Sequence, residues 1–273
     1  MGSLDGKVAF ITGAGRGQGR AHAVRMATEG ANIIAVDICK DIPMLKYSMA
    51  TSADLQETVK LVEAAGGKAI GIEADVRDPE AMNAAAKQGF ETFGRIDIII
   101  ANAGIAAQQV NEEDPSALFN LTLAINAFGV RNTIHAAVPY TIDGGNGGAV
   151  VITSSTQGLQ GRGGNGSGAG DGYVASKHAV VGLMRSWAHW LAPHMIRVNT
   201  IHPTGVDTYM ITNPAFQDYI KVMAGKSDGL QNLMPVPVVH VEDITNAVMY
   251  LVTDTGRYVT GVTLPIDAGF NVR

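Results

Sequence analysis

The sequence predicts a doubly wound α/β fold: one domain, a seven-stranded parallel sheet, and helices on both faces. Three observations predict it. Apolar runs of strand length alternate with helical patterns along the whole chain, the rhythm of β-α-β units. The runs, such as Val8-Ala9-Phe10-Ile11 and Ala149-Val150-Val151-Ile152, are continuously apolar, as strands covered on both faces require. Chemically capable residues fall mostly just beyond the C-terminal ends of these runs, where ligands bind in such sheets.

Composition agrees. At 273 residues, 46% hydrophobic and 16% charged, the chain has ample material for one large core. A net charge of −5, spread without long runs, argues against nucleic acid and anionic membrane as partners. The single cysteine, Cys39, excludes an internal disulfide and a cysteine-cluster metal site. The seven histidines lack metal-ligand spacing, so no metal is expected. No run approaches the roughly 18 apolar residues of a membrane span, and no signal-peptide pattern opens the chain. The expectation is a soluble cytoplasmic protein.

The first strand ends in Thr12-Gly13-Ala14-Gly15-Arg16-Gly17-Gln18-Gly19, and a helical pattern follows to Glu29-Gly30. Strand, glycine loop and helix together suit a phosphate cradle. Glycines let the backbone approach a pyrophosphate, and the helix N-terminus offers free N–H groups and a positive dipole end. The spacing Gly13, Gly17, Gly19 is neither G-x-G-x-x-G nor a Walker loop. A plain glycine turn is the simpler alternative.

The second strand, Asn32-Ile33-Ile34-Ala35-Val36-Asp37, ends in an acid. A carboxylate there accepts hydrogen bonds from a ribose diol and repels a 2′-phosphate, which favours NAD over NADP. Arg16 is the opposing signal, since it could pair with that phosphate. Asp37 could instead cap a helix. Residues 38–51 break helical rhythm and form an insertion, either a solvated loop or a cover for the adenosine half. A helix resumes at Ser52-Ala53-Asp54-Leu55 and runs to Ala65-Gly66-Gly67.

The third strand covers 69–76 and brings Asp75, a candidate adenine contact, to its end. A helix from Pro79 to Phe93 leads to a fourth strand, 96–100, followed by Ala101-Asn102-Ala103-Gly104, small enough to let a cofactor lie against it. Residues 115–139 read as one helix, with Asn126 among Leu121, Leu123, Ile125 and Phe128; an asparagine there needs partners.

The fifth strand delivers Ser154 and Ser155 to the sheet edge. Residues 158–172 are mostly glycine, and a helix then carries Tyr173 to about Leu191. Tyr173 and Lys177, four apart, share a helix face. A nearby ammonium favours the phenolate and lowers a pKa ordinarily about 10, making a general acid or base. Any helix can carry such a pair at its surface, but of seven tyrosines only Tyr173 has a lysine four positions on. Trp187 and Trp190 read as core or subunit-contact aromatics. The sixth strand, Arg197-Val198-Asn199-Thr200-Ile201, leads into His202-Pro203-Thr204-Gly205-Val206-Asp207-Thr208. Residues 209–238, with Met, Pro and aromatics in weak rhythm, suit an adaptable apolar cover. A helix at 241–251 and a strand at 262–267 finish the chain.

From Lys7 to Gly269 these motifs together resemble the short-chain dehydrogenase/reductase family, which implies a Rossmann fold binding NAD(P). The likeness rests on the Thr12–Gly19 loop, Asp37, Asp75-Val76, Asn102-Ala103-Gly104, Asn126, Ser155, Tyr173 with Lys177, Asn199, Pro203 with Gly205, and Asp267-Ala268-Gly269. It implies Asn126, Ser155, Tyr173 and Lys177 as catalytic residues. Ser155 is preferred over Ser154 because it stands three before a glycine, Gly158. It implies cofactor contacts from Gly13, Arg16, Gly17, Gln18, Gly19, Asp37, Ile38, Cys39, Asp75, Val76, Asn102, Ala103, Gly104, Tyr173, Lys177, Pro203, Gly205, Val206 and Thr208. Lys177 would also bond the nicotinamide ribose, and Asn126 would hold a water that links Lys177 to solvent. Tyr173 stands 18 positions after Ser155, a longer gap than in most relatives, with the excess in the glycine-rich loop.

Gly17-Gln18-Gly19-Arg20-Ala21-His22-Ala23-Val24-Arg25, with Ala35-Val36-Asp37-Ile38-Cys39 and the insertion, resembles the carveol dehydrogenase-like, mycofactocin-coupled subgroup. That likeness implies a homotetramer that oxidises a small apolar secondary alcohol to its ketone. NAD would stay bound without exchange, and an external redox carrier would regenerate it. The alternatives are a non-catalytic regulator or scaffold of the same fold, and an epimerase or dehydratase.

Overall fold

The computed structural model describes residues 2–162, 164–224 and 231–272. Seven strands form one parallel sheet: β1 Val8–Thr12, β2 Asn32–Asp37, β3 Ala69–Glu73, β4 Ile98–Ala101, β5 Gly148–Thr153, β6 Ile196–Pro203 and β7 Thr263–Ile266. Their order is β3-β2-β1-β4-β5-β6-β7. The winding reverses between β1 and β4, and the crevice opens there, outside the carboxyl ends.

Helices cover both faces: α1 Gly17–Thr28, α2 Ser52–Ala64, α3 Pro79–Phe93, α4 Pro115–Leu123, α5 Val130–Asp143, α6 Gly168–Leu191, α7 Tyr209–Thr212, α8 Pro214–Ala224 and α9 Val241–Val252. Strand alternation splits the apolar residues between two cores. Phe10, Ile34, Ile99 and Val150 pack towards α5 and α6 through Ile134, Val180 and Met184. Ile11, Ile33, Ile100 and Val151 pack on the other side with Met26 of α1 and Val248 of α9.

Local chemistry fixes several boundaries. The Thr51 hydroxyl accepts from the Asp54 N–H at 3.2 Å, and the Asp54 carboxylate accepts from the Thr51 N–H at 2.8 Å, so α2 starts cleanly after the insertion. Asp78 caps α3 before Pro79, and Gly94 ends it at φ 75°. The helix predicted over 115–139 is longer and less regular. A π-helical stretch, Ala124–Gly129, joins α4 to α5. Pro139 lies inside α5, held in register by buried Ile134, Ala137, Val138 and Thr141. Helix α6 begins five residues before Tyr173, inside the glycine-rich stretch. Glu112 accepts from the N–H groups of Gly168 and Ala169 (2.8 and 3.1 Å), and Ser167 accepts from that of Gly170.

The insertion at 38–51 has no helix or strand, yet it is no solvated loop. Ile42, Leu45 and Ala50 are buried, and the first two join the α5/α6-side core. Of the predicted cover, α7 and α8 are helical, and residues 225–230 lie outside the described residues. No helix among the described residues is long and apolar enough to cross a membrane, and none of them form a group of three or more His, Cys, Asp or Glu able to hold a metal.

One buried group makes the fold acid-sensitive. His22 of α1 is fully buried with Nδ1 2.8 Å from Thr245 Oγ1 of α9, and burial pulls its pKa down to about 3. The folded chain keeps it neutral, while an unfolded chain protonates it near its ordinary 6.5. Its stabilising share is therefore whole above pH 6.5 and drains away as pH falls towards 3, at about 1.4 kcal/mol per unit. Urea unfolding at pH 7 and pH 4.5 should give a smaller loss for His22→Asn than for the parent chain. Equal losses would refute this.

Candidate active site

A cavity of about 500 Å³ opens along the carboxyl ends of the strands, from Gly13 and Asp37 at one end to Phe216 and Tyr219 at the other. The glycine loop forms its floor. Gly13 and Gly17 adopt φ 67° and 58°, which glycine reaches without strain. A Cβ on Gly19 would sit 2.1 Å from the Gly13 carbonyl oxygen, so only glycine lets α1 start so close to the loop. Asn102 bolts this loop to the end of β4: its Nδ2 donates to the carbonyls of Thr12 (3.1 Å) and Gly13 (3.3 Å). The Thr12 hydroxyl accepts in return from the N–H groups of Asn102 and Ala103. Gln18 lines the cavity with a buried Oε1 that has no partner among the described residues.

Asp37 is buried and caps no helix. Its Oδ2 accepts from the Gly15 N–H at 2.8 Å, and Oδ1 from the Cys39 N–H at 3.4 Å. Arg16 does not stand free to meet a phosphate. Its guanidinium donates to the Ser48 carbonyl of the insertion and lies over the Tyr209 ring of α7, 4.7 Å from the centroid. Asp75 lines the cavity but is gripped by Arg77. Burial pushes its carboxyl up, and the Arg77 hydrogen bonds outweigh that and hold it below the usual range.

Ile38, Val76, Ala103, Gly104, Pro203, Gly205, Val206 and Thr208 also line the cavity. Gly19, Cys39 and Asn126 are not among its lining residues. Cys39 is strained at φ 50°, and burial followed by the charge of Asp37 pushes its thiol up to about 12.

The two serines diverge. Ser154 donates its hydroxyl to the Lys177 carbonyl at 3.0 Å, whereas the Ser155 hydroxyl accepts from the Gln157 N–H and lies close enough to the Tyr173 phenol to favour its ionised form. Both Tyr173 and Lys177 line the cavity. The expectation that Lys177 lowers the Tyr173 pKa is not met. Burial raises the phenol above its ordinary 10, and the Ser155 hydrogen bond is what opposes the rise. The Lys177 amine donates to the Thr153 carbonyl at 2.8 Å and lies 5.6 Å from the Tyr173 ring centroid, and burial pulls it down to about 8. The amine stays mostly charged at neutral pH, but its hydrogen bond goes to the Thr153 carbonyl and not to the phenol.

Asn126 is fully buried in the π-helical stretch: its Oδ1 accepts from the Ile105 N–H (2.8 Å) and its Nδ2 donates to the Ile105 carbonyl (3.0 Å). Both amide functions hold the chain beyond Gly104.

Sequence reasoning missed Tyr47. The insertion places this phenol in the cavity, where it accepts from the Ala106 N–H at 3.3 Å and burial pushes it up to about 12. No periodicity marks such a loop residue. Arg162 and Phe270 of the far wall, stacked at 5.2 Å, were equally hidden.

Fold and site define an α/β protein whose glycine-loop cradle opens onto a serine–tyrosine–lysine centre. The short chain dehydrogenase family model matches residues 7–216. The (-)-trans-carveol dehydrogenase of Rhodococcus erythropolis is 42% identical over 282 residues, covering 100% of both chains. An uncharacterized oxidoreductase of Mycobacterium tuberculosis is 50% identical over 268 residues, 98% of this chain and 97% of that one. The crystal structure of carveol dehydrogenase from Mycobacterium avium in complex with NAD superposes with a TM-score of 0.91 at 42% identity, covering 100% of both chains. This chain belongs to the short-chain dehydrogenase/reductase family of oxidoreductases.

Proposed function

We propose that this protein is an NAD-dependent dehydrogenase interconverting a small apolar secondary alcohol, of terpenoid type, and its ketone. The observation that carries the reading is the one cavity that joins the glycine loop and Asp37 to Ser155, Tyr173 and Lys177. Its far wall, with Ile211, Phe216, Ile220 and Phe270, suits an apolar substrate. The carveol dehydrogenase likeness supports the same class.

The residues fit the cofactor. A cradle that a Cβ at Gly19 would fill receives the pyrophosphate, and Asp37 receives the adenosine ribose. NAD held there would supply the hydride acceptor. Ser155 holds the substrate oxygen, and Tyr173 takes the proton of the alcohol hydroxyl. Lys177 lies within reach of both Tyr173 and the ribose side. Asn126, whose side chain holds the backbone of Ile105, would position a water that links Lys177 to solvent.

We read the insertion as a clasp that keeps NAD from exchanging, so that an external redox carrier completes the cycle. Arg16 supports this, because one guanidinium ties Ser48 of the insertion to Tyr209 of the cover. Subunits of a homotetramer would meet through α4–α6, where Phe128 and Trp190 are 62% and 42% exposed.

The test uses the protein as purified, without added cofactor. It is denatured, the released nucleotide is identified by mass spectrometry, and cyclic alcohols are assayed with free NAD or an artificial dye acceptor. Stoichiometric NAD with turnover only on the dye is expected. Arg16→Ala should then release NAD at least about tenfold faster, a change that loss of one charge-assisted hydrogen bond can produce. An empty protein that turns over free NAD refutes the clasp and leaves the dehydrogenase intact. A strong preference for charged sugars over cyclic alcohols refutes the substrate class.

A further inference from the structure

His202 lies at the end of β6, one strand over from the reacting serine, and nothing in the chemistry above uses it. Its side chain is fully buried. Nδ1 lies 2.7 Å from the Ser155 carbonyl oxygen, and Nε2 lies 2.8 Å from Thr200 Oγ1. A carbonyl can only accept, so Nδ1 carries the proton. The neutral ring's Nε2 then accepts from the Thr200 hydroxyl.

The Ser155 carbonyl is an unusual place for such a group. Pairing of β5 with β6 ends at Thr153 opposite Ile201, with one more bond from the Ser154 N–H to the Ile201 carbonyl. Beyond that the sheet no longer holds the serine. Its carbonyl accepts from the Gly158 N–H at 2.9 Å and from His202. Its Oγ accepts from the Gln157 N–H at 3.2 Å, lines the cavity beside the Tyr173 phenol and opposes the rise that burial causes there.

We propose that His202 is a positioning residue for the reaction: its Nδ1–H fixes the Ser155 backbone so that the Ser155 hydroxyl stays on the Tyr173 oxygen. This rests on the dehydrogenase reading given above. Burial outweighs the hydrogen bond to the Ser155 carbonyl, and with the charges of Lys177 and Arg185 of α6 it keeps the imidazole neutral down to about pH 4, so the N–H geometry holds across the working range. The consequence falls on Tyr173. The Ser155 hydrogen bond is what pulls the phenol down against its burial. Without it the Tyr173 pKa rises, and alcohol oxidation needs a higher pH.

Two amide variants isolate the N–H. His202→Asn sets an amide nitrogen where Nδ1 stands, and His202→Gln sets one near Nε2, away from the carbonyl. Rates are measured against pH for alcohol oxidation, per molecule of bound NAD, beside a Tyr173→Phe control and thermal melts. His202→Gln should lose at least about tenfold in kcat, as small misplacements of reacting groups do, with KM little changed. The rising limb of its pH profile should move to higher pH. His202→Asn should return both kcat and the limb towards the parent values. If Gln and Asn variants share one kcat and one unshifted profile, the proposal fails. Should His202→Gln not fold, Thr200→Val, which removes the hydroxyl on Nε2, should shift the limb the same way, and an unmoved limb overturns the proposal. Normal turnover in Tyr173→Phe would instead sink the dehydrogenase reading itself.

Discussion

Tyr173→Phe should lower turnover by about 10²–10⁴-fold, the range for positioned acid–base help, while leaving NAD in the protein. The ring stays, so the packing of α6 against α4 and β6 is kept, and what is removed is the hydroxyl that faces Ser155. Loss of one neutral hydrogen bond costs about 1 kcal/mol, offset here because a buried hydroxyl no longer needs a partner. The variant should therefore melt within a few degrees of the parent and release the same amount of nucleotide on denaturation. Near-normal turnover would move the general base elsewhere. Lost activity together with lost nucleotide would make Tyr173 a binding residue first.

Gly19→Ala should be nearly as damaging by another route. The new methyl would meet the Gly13 carbonyl oxygen at 2.1 Å and its carbon at 2.7 Å, both backbone, so loop or helix must move. Overpacking of this kind costs about 1–3 kcal/mol in stability. A displaced α1 N-terminus also aims its free N–H groups away from the pyrophosphate, and nucleotide affinity should fall on the order of 100-fold, about two such hydrogen bonds' worth. Gly182→Ala is the control. It lies exposed on α6 with nothing within 4 Å of the added carbon, and it should stabilise the chain by about 0.5–1 kcal/mol. Calorimetric titration and thermal melts of the two variants separate a loop-specific effect from a general intolerance of added methyls. Equal nucleotide affinity in both would mean that the loop is not the cradle.

The sheet was legible because its central strands are buried on both sides and so written in unbroken Val, Ile and Ala. The glycine loop, Asp37 and the Tyr173–Lys177 pair were legible because each depends on local spacing. What was hidden depends on contacts between distant segments. Ile42 and Leu45 have no periodicity, so their burial in the core on the α5/α6 side could not be read from their neighbours. The start of α6 was masked by glycines, since it draws on Glu112, far back in the chain. The state of Tyr173 follows from burial and from which atom Lys177 actually bonds, and spacing carries neither. Asp75 looked available until Arg77, two residues on, closed around it.

Asp37 and Arg16 also bear on how this chain could be redesigned. Switching cofactor preference towards NADP by exchanging one acid for a small neutral residue assumes that the acid only faces the ribose. Here the same carboxylate anchors Gly15, and the arginine that would greet a 2′-phosphate is already engaged on both sides. An engineer who changed Asp37 alone would loosen the loop for either nucleotide and gain no new cation. Acceptance of the phosphorylated cofactor would require rebuilding the insertion as well, which ties the choice of nucleotide to its retention.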